Sequence, residues 1–491
     1  MTELVGRELL GRYLMSLGRG QPWRWRGQVV ESVGQTIESA GPLATVGECC
    51  EIIDRAGRSH LAEVIGFRGS NVLSMPVETT EGIRFGDAVS ALGRSPEIEV
   101  TPALVGRVLN ALGAPIDEGV PDRGRDGISD RAGSGFDKGF DDSVADSVAG
   151  GVAPHALRPF AGPASLSISL PILSVSLPLE GRVRSPLDRA PIREPLGTGI
   201  RVLDALLSVG RGQRVGIFGG SGVGKSTLIG MMTRNTEADI TVVGLVGERG
   251  REVGEFLEDA LGAEGRARSV VVVSTSDESP LKRMRAALAA TTIAEFFAAQ
   301  GKNVLLVLDS LTRFAMAARE IGLAAGEPPT AKGYTPSVFA RLARLVERAG
   351  QFRVGSITAF YTVLMEGDDQ QDPLVDAVRS LLDGHVVLSR ALAAEGWYPP
   401  IEVLDSISRL MPAVAAPEHR AQAALIRKLL AVYARSEDLV RIGAYKPGAD
   451  PDLDRALRAR DALRAFMTQA TGERVSFADC QQRLAALAGE V

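Results

Sequence analysis

The strongest chemical signal in this 491-residue sequence is a glycine-rich stretch that ends in a lysine and two hydroxyl residues. It follows the apolar run 215–218 and leads into the apolar positions 228–232. This order of strand, glycine-rich loop and helix is the context that a phosphate-binding P-loop requires. The glycines let backbone N–H groups approach a polyphosphate, and the helix dipole favours the same anion. The loop residues are Gly219, Gly220, Ser221, Gly222, Val223, Gly224, Lys225, Ser226 and Thr227.

Two side chains of this loop would act on the nucleotide. Lys225 would reach the β- and γ-phosphates of ATP, and the Ser226 hydroxyl would complete the oxygen shell of a Mg²⁺ ion. The alternative is a glycine-rich turn with a solvated lysine, which is disfavoured because the motif is complete and both flanks agree with it. The sequence therefore predicts ATP and Mg²⁺ as ligands.

A second signature is the apolar run 304–308, which ends in Asp309. Such a run predicts a buried strand that delivers one carboxylate at its C-terminal end, where the ligands of parallel sheets bind. Taken alone, an aspartate in this position is typical of a helix cap. Behind a complete P-loop, we expect Asp309 to hold Mg²⁺ through water.

The segment 244–252 forms a third signature, in which Glu248 ends an apolar run. A carboxylate there could orient and polarise the attacking water, and Arg249 could neutralise the oxygens of the transferred phosphoryl group. A surface network among Glu248, Arg249, Arg251 and Glu252 is the alternative. The spacing favours catalysis over this network and leaves the network open.

The composition excludes several classes of protein. The net charge of −5 gives no global reason to expect nucleic-acid binding, and an apolar content of 45% is ample for packed cores. The 3 cysteines suggest a reducing compartment rather than a disulfide framework, and the 4 histidines are too scattered for a metal cluster. Because the sequence lacks a long apolar run and a secretory h-region, we expect a cytoplasmic protein without a transmembrane helix.

The chain is long for one domain, and its character changes along its length. We predict an α/β P-loop core with a small N-terminal β-barrel and a C-terminal helical domain. A helix at 1–23 could bind a partner protein, lie on an anionic membrane or pack on its own domain. The predicted segments are a helix at 1–23, a closed barrel at 24–98, the P-loop domain at 99–121 and 180–413, a flexible insertion at 122–179 and a helical domain at 414–491.

Alternating strands and helices in the core predict a doubly wound, mainly parallel sheet. The strands are expected at 214–218, 240–247, Ser269–Thr275, Asn303–Asp309, 354–361 and Gly384–Leu388. Before the core, the Asp-, Gly- and Ser-rich residues 123–151 predict a solvated loop. The alternating residues 165–178 predict an edge strand that something must cover.

The three signatures resemble those of the ATPases of flagellar and virulence-type type III protein export. That family is related to the catalytic subunits of rotary ATP synthases, which implies a RecA-like or rotary ATPase-like core. The resemblance covers about 27–120 and 181–490. Further matching segments are 326–329, 333–339, 383–390, 406–412 and 442–445.

The resemblance implies further site residues. Glu248 matches the catalytic carboxylate of the family. Arg409 matches an arginine that reaches into the site of the neighbouring subunit; an intrachain salt bridge is the alternative. Tyr398 matches the aromatic residue that stacks on adenine, and a core tyrosine is its alternative. Near the C-terminus the rotary relatives place a Phe beside adenine, a position that Thr471 matches more nearly than Phe466.

The resemblance also implies partners. These are a homohexameric ring, a central stalk-like coiled coil that touches the loop 327–339, export chaperones and substrates, and a regulator bound by the N-terminal helix. ATP hydrolysis would drive chaperone release, unfolding or delivery of exported proteins at a membrane export gate, with no nucleic acid involved. One departure is the long stretch between Asp117 and Pro191, which the family replaces by a short linker.

The flagellar and virulence branches share these motifs, and residues 437–445 favour the flagellar branch. A rotary ATP synthase subunit is an alternative, but an acidic lever motif is missing near residues 443–450. An RNA-translocating ring would need basic and aromatic residues in the barrel, whereas 37–76 contains Phe67 and no basic stripe. A non-hydrolysing scaffold is disfavoured by the intact Lys225, Glu248 and Asp309.

Overall fold

A computed structural model describes residues 25–117, 174–181, 183–365 and 372–490. The predicted N-terminal helix at 1–23 and residues 122–173 of the predicted insertion lie outside these ranges. Residues 25–117 and 174–490 belong to one compact unit.

Within residues 25–117, six strands close into the small barrel that the sequence predicted. The strands are β1 (Arg26–Val33), β2 (Thr36–Ala40), β3 (Cys49–Ile53), β4 (Ser59–Arg68), β5 (Asn71–Pro76) and β6 (Ala88–Ala91). Their order around the barrel is β1-β2-β5-β4-β3-β6, and all pairs are antiparallel. Small and branched apolar side chains fill the interior, among them Val29, Ile37 and Ile52.

In the described part of the chain, nine strands form the central sheet: β8 (Val108–Asn110), β12 (Arg214–Gly219), β13 (Ile240–Glu248), β14 (Ser269–Thr275), β15 (Asn303–Asp309), β16 (Gly350–Gln351), β17 (Ser356–Leu364), β18 (Gly384–Leu388) and β19 (Ile401–Ser408). Their order is β19-β18-β12-β17-β15-β13-β14-β8, with β16 paired to β17. All neighbours are parallel except β19 and β16, which confirms the mainly parallel sheet.

The predicted strand at 354–361 was placed two residues too early. Val354 is exposed, and Gly355 has a φ of +68°, so the chain still turns there. The strand begins at Ser356 and continues to Leu364. Conversely, β13 extends one residue beyond the predicted 240–247 and includes Glu248 itself.

Two apolar cores cover the two faces of the sheet. Along β15, Val304, Leu306 and Leu308 pack into one core, whereas Leu305 and Val307 pack into the other. This alternation of buried residues is what a strand covered on both faces requires. The helices are Arg201–Leu206, Lys225–Asn235, Gly250–Glu255, Gly262–Ala267, Pro280–Ala299, Leu311–Ala324, Pro336–Val346, Pro373–Leu381, Arg390–Ala394, Met411–Val414, Pro417–Arg441, Pro451–Met467 and Phe477–Glu490, with a π-helical stretch at Phe256–Leu261.

Three helices make up most of residues 417–490, so this part is mainly helical, as the sequence predicted. Leu429, Leu463 and Leu484, one from each of the last three helices, are buried in the core that also contains Ile217 of β12. The helical part therefore packs directly against the nucleotide-binding part. None of the helices in the described ranges is long and apolar enough to cross a membrane.

The end of the predicted flexible insertion is a paired strand. Strand β9 (Val175–Pro178) pairs with β7 (Glu97–Val100), and Leu177 lies opposite the buried Ile98. The prediction of a flexible segment up to 179 is thus wrong for its last residues, because Leu177 packs against the main core. Most of the predicted edge strand at 165–178 lies outside the described residues. Two further strands pair separately, β10 (Pro195–Leu196) and β11 (Val209–Gly210).

Candidate active site

The glycine-rich loop connects the end of β12, at Gly219, to a helix that begins at Lys225. Gly222 and Gly224 have φ angles of +78° and +92°, in the left-handed region that favours glycine. A Cβ on Gly220 would lie 2.3 Å from Nη2 of Arg390, so a side chain there would displace that guanidinium. The loop thus has the backbone shape of a P-loop, and the glycine at position 220 leaves room for the guanidinium of Arg390.

Lys225 is held inside the loop. Only 8% of the residue is exposed, and its Nζ donates to Gly219 O (3.2 Å) and Gly220 O (2.6 Å). Burial lowers the pKa of the ammonium, while the charges of Asp309 and Glu248 oppose that shift. Ser226 and Thr227 are exposed on the first turn of the helix. An ammonium group and two hydroxyl groups are therefore brought together at one helix N-terminus.

Asp309 ends β15 at the same edge of the sheet, 7% exposed. Its Oδ1 accepts a hydrogen bond from Thr362 Oγ1 (2.6 Å), and burial raises the pKa of the carboxyl. The helix that follows is capped by Ser310, whose Oγ accepts from Arg313 N (3.3 Å). The helix-cap alternative for Asp309 is therefore not what the structure shows, and the carboxylate remains available to the site.

Glu248 ends β13, which is the direct neighbour of β15. Burial, the negative charge of Asp309 and a hydrogen bond with the Glu252 carboxyl raise the pKa of Glu248 to about 8. In the described ranges, Arg249 pairs with Glu252 (3.4 Å) and Arg251 with Glu255 (3.5 Å), and neither pairs with Glu248. Two ion pairs of the surface network are therefore present, but Glu248 takes part in neither of them.

Arg249 lies on the surface of the single chain. Its side chain is 76% exposed and pairs with Glu252. The predicted contact of Arg249 with a phosphoryl group stays a prediction.

Sequence reasoning missed two cations at this site. The charge of Arg313 lowers the pKa of both Glu248 and Asp309, and its buried Nε has no hydrogen-bond partner among the described residues. Arg390, the second residue after β18, lies over Gly220. Their positions in the sequence could have identified both residues: Arg313 lies one helical turn after Asp309, and Arg390 follows a predicted strand.

Tyr398 stands beside the P-loop rather than in the core. Half of the residue is exposed (50%), and its Cε1 lies 4.0 Å from where a Cβ on Gly224 would be. Phe466, by contrast, is buried and packs against the guanidinium of Arg201. The core-tyrosine alternative for Tyr398 therefore disagrees with the structure.

The P-loop follows the C-terminal end of β12, whereas Arg409 lies at the other end of the strands, near the start of β12. Arg409 follows the antiparallel edge strand β19, and its N–H donates to Asp383 O (3.0 Å). The Asp383 carboxylate pairs with Arg214, the first residue of β12. Since Gly219 ends this six-residue strand, the two ends are about 17 Å apart at ~3.3 Å per residue. Arg409 is exposed, and no ion pair holds it among the residues described, so the alternative of an intrachain salt bridge is not found.

Comparison with known proteins agrees with this arrangement. Residues 199–408 match the nucleotide-binding domain of the ATP synthase alpha/beta family, and residues 29–93 match its beta-barrel domain. Residues 415–486 match the T3SS EscN ATPase C-terminal domain. The flagellum-specific ATP synthase of Treponema pallidum is 48% identical, over 98% of this chain and 97% of its own length. The chain belongs to the type III protein export ATPases.

Other export ATPases show the same likeness. The type 3 secretion system ATPase of Xanthomonas euvesicatoria is 43% identical over 94% of this chain and 93% of its own. The assembled ATPase EscN, solved in complex with its central stalk EscO from enteropathogenic E. coli, is 40% identical. It superposes with a TM-score of 0.77 and covers 94% of this chain and 100% of its own. The predicted fold class and the predicted ATPase activity are thereby confirmed.

Proposed function

We propose that this export ATPase hydrolyses Mg·ATP at an interface between two copies of the chain. The observation that carries the proposal is the separation of two groups. Lys225, Glu248 and Asp309 meet at the C-terminal edge of the sheet, whereas Arg409 lies at the other edge. Only a second copy could bring Arg409 to the first group.

In this mechanism, Lys225 neutralises the β- and γ-phosphates and the loop amides hold them. Glu248 accepts a proton from the attacking water, a role to which its raised pKa is suited because basicity near neutral pH favours proton transfer. The neighbour's Arg409 stabilises the charge of the transferred phosphoryl group, as arginine fingers do. Tyr398 stacks on the base beside the loop.

The hard oxygen donors at the site fit Mg²⁺. The Ser226 hydroxyl is exposed, and Oδ2 of Asp309 accepts no hydrogen bond in the described ranges. The described residues contain no group of three His, Cys, Asp or Glu side chains that could hold a metal ion by itself. Ser226 and Asp309 would therefore hold Mg²⁺ together with nucleotide oxygens. When bound, the ion would offset charge on those oxygens.

We further propose a homohexameric ring around a stalk-like coiled coil. EscN has been solved in its assembled form with such a stalk. The loop 327–339 is proposed as the contact. It is held in shape by Thr330 Oγ1, which donates to Tyr334 O (2.6 Å), and by Lys332, which pairs with Asp372 (2.8 Å).

The exported proteins are proposed to be flagellar. Identity to the flagellar relative from T. pallidum is 48%, against 43% to the secretion ATPase from X. euvesicatoria. The enzyme would act in the cytoplasm, at the inner-membrane export gate, where it would release, unfold or deliver chaperone-bound cargo. A regulator on residues 1–23 belongs to this proposal. Deletion of the gene should abolish flagellar filaments, and intact filaments together with lost effector secretion would favour the virulence branch.

Substitution Lys225→Ala tests the phosphate-binding role. Removing the ammonium that faces both carboxylates should abolish ATP binding and ATP hydrolysis, as measured by nucleotide titration and phosphate release. Lys302→Ala is the matched control, because Lys302 is exposed and remote from the loop in the sequence. Unchanged binding in the Lys225 variant would refute the assignment. The ATPase activity per subunit should also rise with protein concentration as rings assemble.

A further inference from the structure

The loop that carries Tyr398 is supported by the C-terminal helices. Arg464 Nη2 donates to Glu395 O (2.9 Å), and its guanidinium lies 5.5 Å from the ring centre of Trp397. Gln469 N–H donates to Tyr398 O (2.8 Å). The end of the helix Pro451–Met467 and the segment that follows it therefore contact this loop at Glu395, Trp397 and Tyr398.

Gln469 is buried, with 4% of its surface exposed, and its side-chain amide makes three hydrogen bonds. Its Oε1 accepts from Arg201 N (2.8 Å). Its Nε2 donates to Gly199 O (2.8 Å) and Glu473 O (3.1 Å). These bonds fix the backbone of Gln469 against the nucleotide-binding domain. The backbone N–H that donates to Tyr398 O belongs to the same residue. By holding the Gln469 backbone, the side-chain amide therefore also fixes the position of the donor for Tyr398.

The same segment is tied to the phosphate side of the site. Arg234 Nη2 donates to Thr471 O (2.8 Å), and Arg234 lies in the last turn of the helix that begins at Lys225. Residues 469–471 thus bond both the loop beside the base and the helix beneath the phosphates.

We propose that Gln469 is a positioning residue for ATP: it fixes Tyr398 relative to the P-loop and thereby sets the affinity for the base. The inference rests on the proposed contact between Tyr398 and the base. Gln469 itself touches neither the phosphates nor the reacting atoms in this arrangement.

Substitution Gln469→Glu is nearly isosteric and tests the inference. It keeps the acceptor for Arg201 N but turns a carboxylate oxygen toward the two carbonyls that the amide served. The KM for ATP should rise about tenfold, with kcat changed less than about twofold, because the lost bonds act on binding rather than on chemistry. Inorganic tripolyphosphate has no base, so its inhibition constant against ATP hydrolysis should not change.

A second variant covers the case in which Gln469→Glu does not fold. Arg464 is exposed, so Arg464→Ala spares the core while it removes the contacts to Glu395 and Trp397. It should raise the KM for ATP by a smaller factor of the same kind. Arg458→Ala is the matched control: Arg458 is exposed on the same helix, and its Nε bonds Asp454 O of that helix. The control should leave the KM unchanged.

The double variant with Tyr398→Ala separates positioning from general stability. If Gln469 acts through Tyr398, Gln469→Glu should add nothing to the KM of the Tyr398→Ala enzyme. Additive effects, or an equal loss of affinity for tripolyphosphate, would overturn the inference. An unchanged KM in Gln469→Glu, with a raised KM in Tyr398→Ala, would overturn it while leaving the proposed base contact intact. An unchanged KM in Tyr398→Ala would reject the base contact and the inference together.

Discussion

At the residue scale, the candidate site contains one buried carboxyl, Asp309, one half-buried carboxyl, Glu248, and the cations near them. Glu248 and Asp309 end neighbouring parallel strands, and burial raises the pKa of each. The charge of Arg313 opposes the rise for both, and Lys225 opposes it for Asp309. A glutamate with raised basicity thus stands near Lys225 of the P-loop, as the proposed activation of water requires.

Substitution Glu248→Gln should lower kcat about 10²- to 10⁴-fold and retain ATP binding, because it removes the proton acceptor but not the phosphate contacts. Phosphate release and nucleotide titration measure the two effects. The matched control is Glu255→Gln, whose side chain is 54% exposed on the same segment. Full activity in the Glu248 variant would eliminate the proposed base.

The sequence was sufficient to place Lys225, Glu248 and Asp309 at one edge of the sheet, because the P-loop and both carboxylates follow apolar strands; the roles assigned to the three side chains stay predictions. It was not sufficient for Arg313, Thr362 and Gln469. Their contacts join residues that the chain separates widely, such as Thr362 with Asp309 and Gln469 with Gly199. No local pattern marks those pairs, since only the folded sheet and the helices packed against it bring them together.

At the element scale, a buried ion pair fastens the barrel to the core. Arg285 lies on the helix Pro280–Ala299, and its Nη2 donates to Glu63 Oε2 of β4 (2.7 Å). The side chains are only 3% and 11% exposed. The sequence predicted the barrel but carried no sign of this contact, because the two partners come from different predicted domains.

Substitution Arg285→Ala should destabilise the protein by about 3 kcal/mol, because it leaves the Glu63 carboxylate buried without its partner. Chemical unfolding of the purified chain measures the loss. Replacing both partners, as in Arg285→Met with Glu63→Leu, should recover most of the stability. Arg68→Ala should cost less than about 1 kcal/mol, because the Arg68 side chain is 61% exposed in its pair with Glu38. A similar loss in both single variants would contradict the argument.

At the scale of the whole molecule, Arg409 lies at one end of the strands and the group of Lys225, Glu248 and Asp309 at the other, so they cannot meet within one chain. The sequence predicted the three-part fold, because its motifs and composition change along the chain. The position of Arg409 at the far edge of the sheet follows instead from the antiparallel course of β19, which the sequence did not predict. Under the proposed function, catalysis therefore requires that the subunits assemble.

Mixing two inactive variants tests that condition most directly. Lys225→Ala and Arg409→Ala should each reduce ATP hydrolysis at least about 10³-fold when assayed alone. In rings assembled from equal amounts of both, about one interface in four would pair an intact Lys225 with an intact Arg409 from its neighbour, so activity should return. Differently tagged subunits that purify together would confirm the mixed assembly. Mixed rings as inactive as either variant alone would contradict a site shared between subunits.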